Sequence, residues 1–230
     1  MESPRWHVCR SAAEVQERAA AWIGAAAGEA IAARGAFRVV LAGGGTPRGV
    51  YEALRDLGTD WRAWQVWFGD ERCLAEDDPR RNSRMAGAAL LDHVSIPPER
   101  IHIIQGELGA EQAAAEYRAA LAREPEFDLV LLGLGEDGHA ASLFPGGEWG
   151  EALFAPDVLA VHAAPKPPAE RVSLSARRLS RTRCALFLVT GSGKRDAVRA
   201  WRAGHRLPAA SICPPAGVDV LVENTCFEGR

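Results

Sequence analysis

No stretch of this 230-residue chain approaches the roughly eighteen consecutive apolar residues that a membrane-spanning helix needs. The opening residues, MESPRWHVCRSAAEV, also lack the apolar core of a secretory leader. We therefore expect no membrane partner and a cytoplasmic location. Disulfide chemistry is missing too. The five cysteines (Cys9, Cys73, Cys184, Cys213, Cys226) are scattered, odd in number and never spaced Cys-x-x-Cys. That argues against a disulfide framework or a zinc knuckle and for a reducing compartment. Nor is there an excess of charge of one sign: 27 Lys and Arg are interspersed with 30 Asp and Glu, a net charge of −3. Such a chain has no bulk field for nucleic acid or an anionic membrane, so a phosphorylated ligand must be held by local Arg or Lys. Two catalytic signatures are absent as well. There is no G-x-S-x-G serine elbow, and no H-x-x-x-H pair or histidine cluster to mark a metal centre.

What is present is ordinary globular material, 47 % apolar and 25 % charged, without an internal repeat or a low-complexity linker. It suffices for a single α/β domain over residues 1–230. Ser11 followed by Glu14 forms a capping box, and the alanine-rich segment Ala12 to Arg34 reads as a long helix stopped by Gly35. Phe37 to Ala42 is a buried strand that empties into Gly43-Gly44-Gly45-Thr46-Pro47, with a helix from about Pro47 to Leu57. Strand, glycine loop and helix N-terminus outline an anion site, where backbone N–H groups converge and Thr46 adds a hydroxyl. The dinucleotide fingerprint fails, because Gly49 comes one residue too late.

Gln65 to Phe68 is the next strand, ending in Gly69-Asp70-Glu71-Arg72. Arg72 offers a planar fork for phosphate, and Asp70 could hold that fork or bond a sugar hydroxyl. Asn82 or Ser83 could cap the helix that follows. Ile101 to Ile104 reads as a short edge strand, Ala110 to Arg123 as an amphipathic helix. Beyond these, Val158 to Ala163 and Arg171 to Leu174 read as extended segments on either side of Pro165-Lys166-Pro167-Pro168. Ala185 to Val189 is a buried strand leading into Thr190-Gly191-Ser192-Gly193-Lys194, which has the look of a P-loop but the wrong spacing. A helix to about Trp201, a loop at Pro208 to Ser211 and a closing strand Val218 to Val222 complete the chain. At least four strand–loop–helix units recur, so the fold expected is α/β: three layers, a mostly parallel, Rossmann-like sheet with helices on both faces.

The most informative stretch is Phe127 to Pro145, FDLVLLGLGEDGHAASLFP. An apolar run suited to a strand buried on both faces gives way to Gly133, Gly135 and Gly138, with Glu136, Asp137 and His139 beside them. In open parallel sheets ligands bind beyond the carboxyl ends of the strands, which is where this loop must lie. A histidine there suits general-base chemistry, because an imidazole's ordinary pKa lies near neutrality. Asp137 could orient its ring or bond a substrate hydroxyl. Ser142, three residues after His139 on the same segment, is not in triad geometry.

Taken together, these loops resemble the 6-phosphogluconolactonase family from about Phe37 to Ser211. The likeness rests on Gly43-Gly44-Gly45-Thr46-Pro47, Asp70-Glu71-Arg72, Asn82, Gly133 to Pro145, and Lys166-Pro167-Pro168 with Arg171 to Leu174. Departures are small: Gly45 stands where the family often has Ser, Ala140 where it has Thr, and Arg81 where a Ser commonly precedes the asparagine. The resemblance implies a fold related to glucosamine-6-phosphate deaminase and ribose-5-phosphate isomerase. It also implies a metal-free, cofactor-free hydrolase of the pentose phosphate pathway that converts 6-phospho-D-glucono-1,5-lactone to 6-phospho-D-gluconate. His139, Asp137 and Arg72 are the catalytic candidates. Gly44, Gly45, Thr46, Asp70, Arg72, Asn82, Lys166 and Arg171 are the candidates for holding the substrate. Whether Arg72 serves phosphate or oxyanion, and whether Lys166 or Arg171 is the second phosphate cation, stays open in the sequence. The expected partner is a sugar-phosphate lactone alone, in a monomer or small homo-oligomer. A deaminase would continue after Gly-His with an Ala-Phe-Asn-Glu-Pro type of segment, and a sugar-phosphate sensor would carry a helix-turn-helix module. Neither feature is found.

Overall fold

The computed structural model describes residues 3–227. In chain order it contains β1 (Arg5–Cys9), α1 (Ala12–Arg34), β2 (Phe37–Leu41), α2 (Gly45–Leu54), β3 (Trp64–Phe68), β4 (Asp70–Arg72), α3 (Asn82–Ala89) and α4 (Ala110–Leu121). There follow β5 (Leu129–Gly133), β6 (Val158–Val161), β7 (Arg171–Leu174), α5 (Ala176–Ser180), β8 (Ala185–Val189), α6 (Arg195–Arg202), β9 (Val218–Glu223) and α7 (Asn224–Phe227).

Six strands form one sheet in the order β1-β9-β8-β5-β2-β3, every pair parallel. The apolar runs FRVVL, LVLLG and ALFLV supply its centre, as strands covered on both faces require. Strand alternation shows which helices cover which face. Trp6 and Phe187 both lie opposite Val220, and Trp201 of α6 packs edge-on against each, at 5.4 and 4.8 Å. The next residue of β1, His7, meets Trp22 of α1 at 5.5 Å between ring centroids. Successive strand residues point to opposite faces, so α1 and α6 cover opposite sides and the molecule has three layers. Among the described residues no helix is long and apolar enough to cross a membrane.

Local signals held where they were strongest. The Ser11 hydroxyl accepts the Glu14 N–H at 3.2 Å, and Gly35 closes α1 at φ 72°, a left-handed value that costs glycine nothing. Other readings needed correction. Ile101 to Ile104 is not a strand; Ile101 makes an isolated bridge to Val66. The N-terminal strand β1 has no sequence signal, because its polar residues lie at the sheet edge and Cys9 alone is fully buried. Asp70–Arg72, read as a loop, is itself a strand. It starts a second, antiparallel sheet in the order β4-β7-β6. Gly69 joins the two sheets: its N–H donates to the Leu41 carbonyl (3.0 Å), and its carbonyl accepts from the Leu174 N–H (2.8 Å).

Candidate active site

Because the main sheet is parallel, all its carboxyl ends lie on one edge, and four loops leave from there. They are Gly43 to Thr46 after β2, Gly69 into β4 after β3, Leu134 to His139 after β5, and Thr190 to Lys194 after β8. The chain winds outward from β2 to β3 and in the other sense from β5 to β8, so the sheet changes direction between β2 and β5. A crevice is expected at such a switch point. A cleft of about 370 Å³ opens there, lined by all four loops and by Phe144, Lys166 and Arg171.

The β2 loop is shaped for an anion. Gly44, at φ 111°, turns the chain into α2 at Gly45, two residues earlier than the sequence suggested. Free N–H groups of the first helical turn therefore face the cleft. Tyr51, on the same helix, locks the strand end: its buried hydroxyl donates to the Ala42 carbonyl (2.8 Å) and accepts the Ala42 N–H (2.9 Å). Thr46 Oγ1 lies 2.5 Å from Thr190 Oγ1, so the first and fourth loops meet through two hydroxyls.

Cations converge on the same cleft. Lys166, Lys194, Arg72 and Arg171 all line the cleft, and Lys166 and Lys194 are the only lysines in the chain. Lys194 and Thr190 were missed as site residues. Their loop fails the P-loop spacing, and nothing local says that β8 is a neighbour of β5. Arg72 and Arg171 are cross-strand partners in the antiparallel sheet, a like-charge pairing that is unfavourable without an anion between or beside them. Arg171 is pulled below the usual guanidinium range, by burial first and by Arg72 as well, against the opposing charge of Asp70. Its Nε and Nη2 donate to the Pro168 and Lys166 carbonyls at 3.1 and 2.9 Å, so it holds the Lys166 segment in place. Lys166 Nζ is 3.8 Å from a Glu136 carboxylate oxygen. Arg72 donates through Nη1 to the Arg80 carbonyl, and its buried Nε has no hydrogen-bond partner among the described residues.

The sequence left Asp70, Asn82 and Asp137 with alternative duties. Asp70 does not hold Arg72. Its carboxylate accepts from Asn82 Nδ2 (3.0 Å) and from Ser142 Oγ (2.5 Å). Neither Asn82 nor Ser83 caps α3. The cap position is Arg81, and the buried Glu71 carboxylate accepts the Asn82 and Ser83 N–H groups at 2.6 and 2.8 Å instead. Asp137 stands behind His139 and does not line the cleft. Its Oδ1 is 2.5 Å from His139 Nδ1 and also accepts the His139 N–H at 3.2 Å. Burial pushes the Asp137 carboxyl up, but the hydrogen bond and charge of His139 outweigh it and hold it below the usual carboxylate range.

Glycine makes this couple possible. A Cβ on Gly135 would sit 2.0 Å from His139 Nδ1, and Gly138 takes φ 85° to bring the ring back over the loop. The ring rests on Phe144 (4.7 Å), and the Gly135 N–H donates to the His139 carbonyl (2.7 Å). With Nδ1–H donated to a carboxylate, Nε2 carries the lone pair. Among the described residues no group of three or more His, Cys, Asp or Glu side chains could hold a metal ion.

A parallel α/β sheet with an anion loop, converging cations and a His–Asp couple at its switch point defines an enzyme acting on a small anionic metabolite. The chain belongs to the glucosamine-6-phosphate isomerases/6-phosphogluconolactonase family, which it matches over residues 10–221. Within that family it is similar to several lactonases. It is 39 % identical to the 6-phosphogluconolactonase of Mycobacterium leprae over 86 % of this chain and 84 % of that one. Its structure is similar to that of 6-phosphogluconolactonase from Thermotoga maritima, with a TM-score of 0.87 and 25 % identity, covering 96 % of this chain and all of the other. A monomeric glucosamine-6-phosphate deaminase has the same fold, with a TM-score of 0.84 at 22 % identity over 97 % and 98 % of the two chains.

Proposed function

We propose that this chain is a single-domain cytoplasmic enzyme that hydrolyses 6-phospho-D-glucono-1,5-lactone to 6-phospho-D-gluconate with a water activated by His139. The observation that carries the reading is the 2.5 Å contact between His139 and Asp137, beside a cation-lined cleft that opens on a glycine-rich helix N-terminus.

A δ-lactone is an activated ester, so hydrolysis needs a placed water, a base and a site for the tetrahedral oxyanion, and no metal. His139 Nε2 takes a proton as the water oxygen bonds to C1. The carbonyl oxygen becomes an oxyanion. When it collapses, the C1–O5 bond breaks and the imidazolium returns its proton to the departing ring oxygen. The new carboxylic acid then loses its own proton to solvent. Asp137 keeps the ring in the tautomer that the first step needs and faces the imidazolium that forms, as the carboxylate of a His-based triad does.

We assign the phosphate to the Gly44–Thr46 amides, Thr190 and Lys194, at the helix N-terminus. To Arg72 and Arg171, cross-strand partners on the other sheet, we assign the oxyanion and then the product carboxylate. Lys166, half-exposed beside Glu136, is assigned as the second phosphate cation. Asp70 accepts a sugar hydroxyl, and Asn82 orients it. The substrate is the only partner this reading requires, whether the chain is a monomer or a small homo-oligomer.

The decisive assay couples lactone formation by glucose-6-phosphate dehydrogenase to product oxidation by 6-phosphogluconate dehydrogenase, with chelator present. We expect lactone loss well above spontaneous hydrolysis, and a fall in kcat of about 10²–10⁴-fold in His139→Ala. A wild-type rate equal to the enzyme-free control overturns the function. Full activity in the variant overturns the assignment of the base.

A further inference from the structure

Ser142 has no place in the reaction as derived, yet it is 1 % exposed and makes the 2.5 Å bond to Asp70. Its own N–H donates to Ser173 Oγ at 3.2 Å, and Ser173 is the cross-strand partner of Asp70. Both ends of Ser142 are therefore tied to the β4–β7 ladder. The residue before it, Ala141, takes φ 49°, the one left-handed non-glycine among the described residues. That conformation costs about 1 kcal/mol or more for a residue with a Cβ, so the turn that follows His139 is held by its surroundings and not by preference.

Asp70 faces the other way as well. Its second oxygen accepts from Asn82 Nδ2, which also donates to the Asp70 carbonyl at 2.9 Å. Asn82 in turn abuts the anion loop: a Cβ on Gly43 would fall 2.0 Å from Asn82 Oδ1. A buried bridge thus runs from Gly43 through Asn82 and Asp70 to Ser142, joining the loop that faces the phosphate to the turn that carries His139. These loops leave from β2 and β5, neighbouring strands of the main sheet, and the bridge adds a buried polar link between them at their carboxyl ends.

We propose that Ser142 is a positioning residue for catalysis, acting through Asp70 to set the spacing between the phosphate-holding loop and the His139 base. The proposal rests on the lactonase reading of the same cleft. It gives Ser142 a duty in kcat without contact to the substrate, because a ligand anchored at its phosphate meets the base correctly only if the two loops are in register.

The test is a double-mutant cycle with Ser142→Ala and Asp70→Asn, followed by the coupled lactone assay. Ser142→Ala is expected to lower kcat about ten- to hundredfold with KM within about threefold, and to add less than about twofold to the loss in an Asp70→Asn background. Wild-type kcat in Ser142→Ala overturns the proposal, and so does an equal loss in both backgrounds, which would mean that Ser142 acts without Asp70. Should the alanine variant fail to fold, Ser142→Cys, nearly isosteric with a weak donor, carries the same comparison and is expected to show a partial loss. An inactive wild-type chain would remove the lactonase reading and this proposal together. An active one with an unimpaired Ser142→Ala removes this proposal alone.

Discussion

Asp137 and His139 are separated by one glycine, and that spacing makes the couple sensitive to a change of a single atom. Replacing the carboxylate by an amide keeps the shape of the side chain but removes the obligate acceptor at Nδ1. In Asp137→Asn the amide can donate to Nδ1 and leave the proton on Nε2, where the base needs a lone pair. We expect kcat to fall by about 10²–10⁴-fold with little change in KM, measured in the coupled assay. A loss confined to KM would instead make Asp137 a substrate contact, the alternative that the sequence left open. At this scale most of the site was legible: His139, Arg72, Thr46, Asp70, Asn82, Lys166 and Arg171 all line the cleft. Lys194 was not legible, because its glycine-flanked loop fits no phosphate motif by spacing. It enters the site only through the strand order.

Among the elements, β4 and α3 show how a short acidic segment can divide its labour. Asp70 and Glu71 are adjacent in sequence and both buried, but they point to opposite duties. Glu71, 0 % exposed, accepts from the N–H groups of Arg72, Asn82 and Ser83 and from the Ser83 hydroxyl, all within 2.6–2.8 Å, and lies 3.6 Å from the buried Arg81. Glu71→Ala would leave these donors unpaired and weaken the compensation of a buried cation. The expected cost is about 3–5 kcal/mol, seen as a Tm lower by about 10 °C in a chain of this size. A change under about 2 °C would show that solvent replaces the carboxylate easily. Local sequence could not assign this role. Asn82 and Ser83 are good cap residues in isolation, but the fold supplies a buried carboxylate from eleven and twelve residues away, and it displaces them.

For the whole molecule, the edge strand β1 is joined to the sheet by charge as well as by backbone. Asp219 accepts from Arg5 at 2.9 and 2.7 Å and lies 2.8 Å from His7 Nε2. Burial pushes the Asp219 carboxyl up, but the bonds to Arg5 and His7 outweigh it and hold it below the usual range. A carboxylate lowered in this way stabilises the fold above its unfolded pKa, about 3.9, and loses that contribution as pH falls through its lower folded value. Arg5 is about half exposed, so we place the contribution at roughly 1–2 kcal/mol. Asp219→Asn should lower Tm by about 2–6 °C at pH 7, and the gap should be narrower at about pH 3, below the unfolded pKa. A gap of the same size at both pH values would assign the effect to packing.

What the sequence determined by itself was set by local physics. Apolar runs bounded by glycine can be little other than buried strands, Ser11 with Glu14 and Gly35 delimit α1, and Gly135-Glu136-Asp137-Gly138-His139 brings two ionisable groups within reach of each other across a turn. Those features need no distant partner, and each was found where it was read. The tertiary structure alone decided which loops share an edge. The order β1-β9-β8-β5-β2-β3 places the loops after β2, β5 and β8 around one cleft, although up to about 150 residues separate them along the chain. It brought Lys194 and Thr190 to the anion loop, turned Asp70–Arg72 into a strand opposite Arg171, and gave Ser142 a partner 72 residues away. The physical reason is that strand order is chosen by burying both faces of the whole sheet at once, a global condition that no window of sequence contains.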